Sequence, residues 1–212
     1  MKLQKLGGYA SIVLVCISIV SAIIITPALP ALSGLDLFDP VEMLDAYQAS
    51  TMAFLAYYIL GILAAILTLL VVLALEERMR TDASHLMRLA VISASAYSAL
   101  YIITEIGGFF RNVLLATIND MSVFRTFLVL HEFLYSAATS VLGWGLLLIG
   151  WATIRTRRLP LILGYIILIL GIGAITQFAF FVLQFMLAIF IYGLLHLIVF
   201  TWIGVVLLRK SA

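Results

Sequence analysis

The sequence predicts an all-α fold, a bundle of six transmembrane helices with both termini in the cytoplasm, and two observations carry that expectation. The first is composition. Of 212 residues, 65% are hydrophobic and only 10% are charged, with a mean hydropathy of +1.25, whereas soluble domains are about 25% charged. The solvent for this chain is lipid. The second is charge placement. Ten of the 12 basic residues fall at every second boundary between apolar runs: Lys2 and Lys5, then Arg78, Arg80 and Arg88, then Arg155, Arg157 and Arg158, then Arg209 and Lys210. The other boundaries hold only Arg111 and Arg125, among acids that include Asp36, Asp39, Glu42, Asp45 and Asp120. Basic residues concentrate in short cytoplasmic loops, so this alternation sets six crossings and places both ends inside.

The chain reads as one integral membrane domain with spans at about 6–29, 49–75, 86–118, 121–154, 160–178 and 184–208, each close to or above the roughly 20 residues a bilayer requires. Pro27 and Pro30 close span one, because proline lacks an amide and clashes with the preceding turn. Lys2 and Lys5 before an apolar run, with Ala31-Leu32-Ser33 behind it, also resemble a secretory signal. The run is longer than the about 7–15 residues of a signal core, so a retained helix is expected. In the loop that follows, Asp39, Pro40 and Glu42 form a capping-box-like start. They predict a short amphipathic helix over Asp36–Tyr47 at the outer surface.

Span two ends at Glu76-Glu77-Arg78-Met79-Arg80. A cytoplasmic turn over Thr81–His85 follows, with Asp82 starting the next helix and His85 in solvent. Spans three and four form a long hairpin turning at Asn119-Asp120, and both exceed what a bilayer needs, so they tilt or protrude on the outer side. Arg155–Pro160 makes the next cytoplasmic turn, with Pro160 suited to the first turn of span five. Trp151 and Trp202 fall near the cytoplasmic headgroups. Ser93, Ala94, Ser95 and Ala96 in span three, Gly143 and Gly145 in span four, and Gly164, Gly171 and Gly173 in span five mark close helix-helix approach.

Ionisable groups inside apolar spans are costly and default to being site candidates. With the long hairpin turning at Asn119-Asp120, Glu105 comes level with Leu134 and Tyr135, Gly107 with Glu132, and Gly108 with His131. Glu105, His131, Glu132 and Tyr135 then share one layer. Tyr97, Tyr101 and Glu105 recur at intervals of four and make a polar stripe, and Gly107 and Gly108 leave space for a small cavity beside the His-Glu pair. Arg111 and Arg125 lie one to two turns nearer the outer surface, within snorkelling reach of the carboxylates. The candidate ligand-binding residues are therefore Glu105, His131, Glu132, Tyr135, Tyr101, Arg111 and Arg125. Tyr57, Tyr58, Gln177 and Gln184 are either further walls of the same pocket or ordinary interface residues.

Two readings fit this layer. In one, Arg111 and Arg125 neutralise Glu105 and Glu132 in a salt-bridged layer that pins a tilted hairpin. In the other, an outward-facing pocket lets Glu105 or Glu132 bind a cation or exchange a proton, with His131 titrating near neutral pH.

Several classes are excluded. The basic residues are spread over four boundaries, which gives nucleic acid no footprint. Cys16 is the only cysteine, so intrachain disulfides and cysteine-rich metal clusters are ruled out, and it is expected to be a small buried hydrophobe. His131, Glu132, Glu105 and His196 carry metal-ligating atoms, but His196 lies about 18 Å into span six, below the Glu layer, and no HExxH spacing occurs. No metal, haem or other cofactor is expected. Ser93, Ser95, Ser98, Ser136 and Ser140 read as packing and interhelical hydrogen bonding, no glycine-rich loop cradles phosphate, and no catalytic group is assigned.

The stretches Leu3–Gly8, Leu73–Met79, Trp151–Gly164 and Trp202–Arg209 resemble bacterial and archaeal multi-pass membrane proteins classed only as a domain of unknown function. The likeness spans most of the chain, although His196 stands in a final span that is purely apolar in those proteins. It implies six helices and a prokaryotic cytoplasmic membrane, and it lends no catalytic residue. The expected function is non-enzymatic. Surrounded by membrane lipids, the protein binds a small or lipid-like ligand, or a partner membrane subunit or second copy of itself, through the outer polar layer. One alternative is a proton- or ion-coupled transporter using Glu105, His131 and Glu132, with broken helices expected at midplane. The other is a membrane-embedded enzyme acting on lipid head groups by acid-base chemistry, for which a Glu beside a His is suitable equipment.

Overall fold

A computed structural model describes residues 2–25, 50–118, 121–182 and 186–209. They form five α-helices: α1 (Lys2–Ile25), α2 (Thr51–Ile118), α3 (Met121–Thr156), α4 (Leu161–Val182) and α5 (Met186–Leu208). No strand occurs among the described residues. The expected amphipathic helix at Asp36–Tyr47, the hairpin turn at Asn119-Asp120 and Gln184 lie outside them. No proline falls inside any of the five helices, so none interrupts their backbone hydrogen bonding. Four of the five carry apolar stretches long enough to cross a membrane, while that of α4, Leu161–Gln177, is shorter.

Helix α2 is 68 residues long and breaks at Ala83, whose φ of −143° and ψ of 40° are non-helical. The two arms fold back on one another. Ser98 Oγ donates to the Ala65 carbonyl at 2.9 Å and Arg111 Nη2 to the Tyr58 hydroxyl at 3.2 Å, pairs placed nearly symmetrically about Ala83. The turn is thus tighter than the Thr81–His85 loop expected from the sequence. Helix continues through Glu76-Glu77-Arg78-Met79-Arg80 because these are good helix formers, with Glu76 and Arg80 paired at 3.8 Å one turn apart.

The six helical segments close a ring. Gly7 of α1 lies so near the first arm that a Cβ on it would stand 2.1 Å from the Ala74 Cβ. Ser93 Oγ of the second arm donates to the Val141 carbonyl of α3. Gly143 and Gly150 of α3 meet the backbone oxygens of Gly171 and Gly164 of α4, and Gly173 of α4 faces Tyr192 of α5. Finally Ser11 Oγ of α1 donates to the Phe200 carbonyl of α5 at 2.6 Å. Of the small residues singled out in the sequence, Ser93, Gly143, Gly145, Gly164, Gly171 and Gly173 sit at the seams, where they let backbones approach, whereas Ser95 and Ala96 are exposed.

At the Ala83 end the ring is filled. Met79, Met87, Leu75, Ile149, Leu163 and Ile203 are almost completely buried there, Arg78 Nη1 donates to the Val206 carbonyl at 3.1 Å, and Arg158 pairs with Asp82. Helix α3 ends with Arg157 in the left-handed region (φ 54°), its N–H donating to the Thr153 carbonyl at 2.9 Å, which is the αL type of helix stop without its usual glycine.

The outward faces are apolar, with Ile92, Trp144, Trp151, Ile162 and Ile169 all more than half exposed. Cys16 is exposed too, not buried as the sequence suggested, because α1 packs on one side only and an apolar surround accepts a thiol as readily as a core does. His85 is exposed as expected.

Candidate functional site

The second arm of α2 and α3 carry the polar residues, and four-residue spacing puts them on facing stripes. The structure sets Gly108 against His131: a Cβ on Gly108 would lie 3.1 Å from Nε2. One turn deeper, the Tyr101 and Tyr135 rings meet with centroids 5.7 Å apart, and Tyr97 and Tyr101 at 5.3 Å. Glu105 is 1% exposed. It receives a polar contact from Tyr101, and its Oε2 has no hydrogen-bond partner among the described residues. Buried polar atoms are nearly always paired, so this oxygen is an anomaly that calls for an occupant or a charge partner.

The expected arginine pairing takes another form. Arg111 is buried, but its Nη2 donates to Tyr58, and no ion pair joins it to Glu105. His131 Nδ1 lies 3.2 Å from Glu132 Oε1, with both side chains partly buried; the adjacent pair bonds to itself. His131 Nε2 and Gln177 Oε1 are also buried without a hydrogen-bond partner. Arg125 stands on α3, and its side chain lies outside the described residues.

Beside this cluster the ring is hollow. A cavity of about 530 Å³ is lined by residues of all six segments. Five tyrosines reach it: Tyr57, Tyr97, Tyr101, Tyr135 and Tyr192. Thr68, Thr139, Gln177 and His196 add polar atoms, and among the described residues no Lys, Arg, Asp or Glu lines it. Of the residues expected from the sequence, Tyr101, Tyr135, Tyr57 and Gln177 line the cavity. Glu105 stands directly behind its Gly61 wall, where a Cβ on Gly61 would lie 2.7 Å from Oε1. His131, Glu132, Arg111 and Tyr58 do not line it.

Sequence reasoning passes over Tyr192 and weighs His196 only as a metal ligand, and both line the cavity. Their signal is the same interval of four that marks Tyr97 and Tyr101, here on an otherwise apolar helix. His196 stacks on Phe200 with centroids 4.4 Å apart, below the Glu layer, as its position in the span predicts. Among the described residues no three of His, Cys, Asp and Glu gather closely enough to share a metal ion.

The cavity also reaches the outer surface of the ring. Ala22 of α1 and Gly193 and Leu194 of α5 line it and are exposed, and a Cβ on Gly193 would meet nothing within 4 Å. The contacts that seal α1 to α5 lie toward the other end, at Gly8, Ser11, Phe200 and Gly204. An opening is left between the two helices. No protein-family model, curated protein or solved structure matches this chain, so its site is read from its own geometry.

Proposed function

We propose that this is an integral protein of a prokaryotic cytoplasmic membrane that crosses six times, keeps both termini in the cytoplasm, and binds a small lipid-like ligand in the tyrosine-lined cavity. α1, the two arms of α2, α3, α4 and α5 supply six segments. The basic boundaries support the orientation, since Arg78 and Arg158 both lie at the filled, Ala83 end, which makes that end cytoplasmic by the positive-inside rule. The cavity then occupies the outer half. The resemblance to a family without an assigned activity favours the same topology and adds no chemistry.

One observation carries the ligand reading. The cavity, at about 530 Å³, falls within the roughly 300–1,000 Å³ of small-molecule sites and is, like them, mostly apolar with a few convergent polar groups. Its opening faces lipid, so an amphipathic molecule reaches it from the bilayer. The test is native mass spectrometry of gently extracted protein beside Gly193→Phe, which plugs the opening. A bound mass in wild type that is lost from the variant is expected. Bare wild-type protein, with a melting temperature that no added amphiphile raises, would overturn the reading. For the topology, single cysteines placed at Lys5, Arg80 and Arg157 in a Cys16→Ser background should label only after the membrane is permeabilised, and one at Asp120 in intact cells.

A further inference from the structure

We propose that the ligand is a lipophilic organic cation, an onium or ammonium head on an apolar body, whose charge sits among the tyrosine rings and is balanced by Glu105 behind Gly61. This rests on the cavity being a ligand site and adds the ligand's charge.

Three features of the cavity converge on a cation. The first is its aromatic wall: Tyr97, Tyr101 and Tyr135 form a run of tilted rings at 5.3 and 5.7 Å, and Tyr57 and Tyr192 line the same space. The faces of such rings carry negative quadrupole charge and attract cations, most strongly where water is excluded. The second is the charge behind the wall. Glu105 is buried, its Oε2 has no hydrogen-bond partner among the described residues, and its Oε1 abuts Gly61, which lines the cavity together with Tyr101. A carboxylate in apolar surroundings is costly unless a cation neutralises it. Arg111 acts on Glu105 electrostatically but makes its described hydrogen bond to Tyr58 instead of an ion pair with the carboxylate, and Glu132 adds a second carboxylate within electrostatic reach of Tyr57 and Tyr135.

The third is the opening. Among the described residues it is uncharged, so an anionic head meets no described lysine or arginine there. On the lipid side it continues into an apolar groove between Val15 and Ile19 of α1 and Ile198 and Thr201 of α5, which shares Leu197 with the cavity. An apolar body thus has an apolar approach that adjoins the tyrosine-lined cavity at Leu197, whereas a hydrated inorganic ion would have to shed its water in lipid to take it.

The experiment is equilibrium binding to the full chain in nanodiscs, with three probes of nearly the same aromatic body. They are tetraphenylphosphonium (cation), triphenylphosphine oxide (neutral) and tetraphenylborate (anion). Saturable binding of the phosphonium is expected, with the other two weaker by roughly tenfold or more. Glu105→Gln and Tyr101→Leu should each weaken the phosphonium by about tenfold, and Tyr101→Phe, which keeps the ring, by less than Tyr101→Leu. If Glu105→Gln fails to fold, as judged by size exclusion and melting, the two Tyr101 variants decide. Equal binding of phosphonium and oxide, indifferent to Glu105→Gln, would overturn the cation assignment and leave a ligand cavity for neutral amphiphiles. If no probe binds, and Gly193→Phe also leaves the native mass unchanged, both the assignment and the cavity reading fall.

Discussion

Gly61 and Glu105 occupy one another's space: a Cβ on Gly61 would lie 2.7 Å from Oε1 and 2.8 Å from Cδ of the glutamate. Exchanging a helical glycine for alanine ordinarily gains up to about 1 kcal/mol. Here overpacking costs about 1–3 kcal/mol, because Glu105 is almost fully buried and has little room to swing aside. Gly61→Ala is therefore expected to lower the melting temperature. Glu105→Ala in that background should recover part of the loss, since contacting residues are not additive. Simple addition of the two losses would show that Glu105 already relaxes away from the wall.

The seam between α3 and α4 makes a sharper contrast. A Cβ on Gly143 would stand 2.7 Å from the Gly171 oxygen, and one on Gly171 2.9 Å from the Gly143 oxygen. Backbone atoms cannot rotate away, so the helices must separate. Gly143→Ala and Gly171→Ala are each expected to cost about 1–3 kcal/mol in equilibrium unfolding. Gly107→Ala, with nothing within 4 Å of the new methyl, should gain up to about 1 kcal/mol from helix propensity. A neutral Gly143→Ala would mean that this seam is loosely packed.

The hairpin register is legible in the sequence because polar residues at intervals of four mark one face of each helix and a single polar break sets their level. The same reasoning that pairs Gly108 with His131 sets Tyr135 level with Glu105; the structure has the first contact and brings the Tyr135 ring against Tyr101, one turn from Glu105. Ring closure is a different matter. Ser11 and Phe200 are 189 positions apart, on helices that are apolar all round, so no face of either announces its partner. Without that closure Tyr192 and His196 have no neighbours on α1 or α2, and the cavity has no sixth wall. Arg111 fails to pair with Glu105 for a related reason, since its hydrogen-bond acceptor Tyr58 comes from the first arm of α2, which the hairpin alone leaves out.

Arg157 holds a left-handed φ of 54° at the end of α3, a conformation that costs a residue with a side chain about 1–2 kcal/mol. Arg157→Gly removes that cost and gives back about 0.5–1 kcal/mol through the greater freedom of the unfolded chain. The net expectation is a small gain in thermal stability. Arg157→Ile should destabilise instead, because a β-branched side chain is a poor fit to positive φ. If both variants melt with wild type, the turn before α4 relaxes to another conformation.

Arg158 Nε donates to Asp82 Oδ2, tying the turn at Ala83 to the turn between α3 and α4. This hydrogen bond is the largest influence and holds the Asp82 carboxyl below its ordinary value; desolvation, the next largest, opposes it, and the guanidinium charge adds a smaller lowering effect. A carboxyl whose folded pKa is depressed contributes stability above its unfolded pKa, about 3.9 for Asp, and that contribution fades as pH falls through the folded value. The Arg158 side is raised above an already high value, so it is fully present throughout the neutral range. Both side chains are substantially exposed, which keeps the effect modest and open to screening. Asp82→Asn should therefore melt below wild type at about pH 7 in low salt, and the gap should narrow in about 1 M salt and close as the pH falls through the depressed folded pKa of Asp82. A gap that survives both conditions would mean that Asp82 acts through the backbone of the turn rather than through its charge.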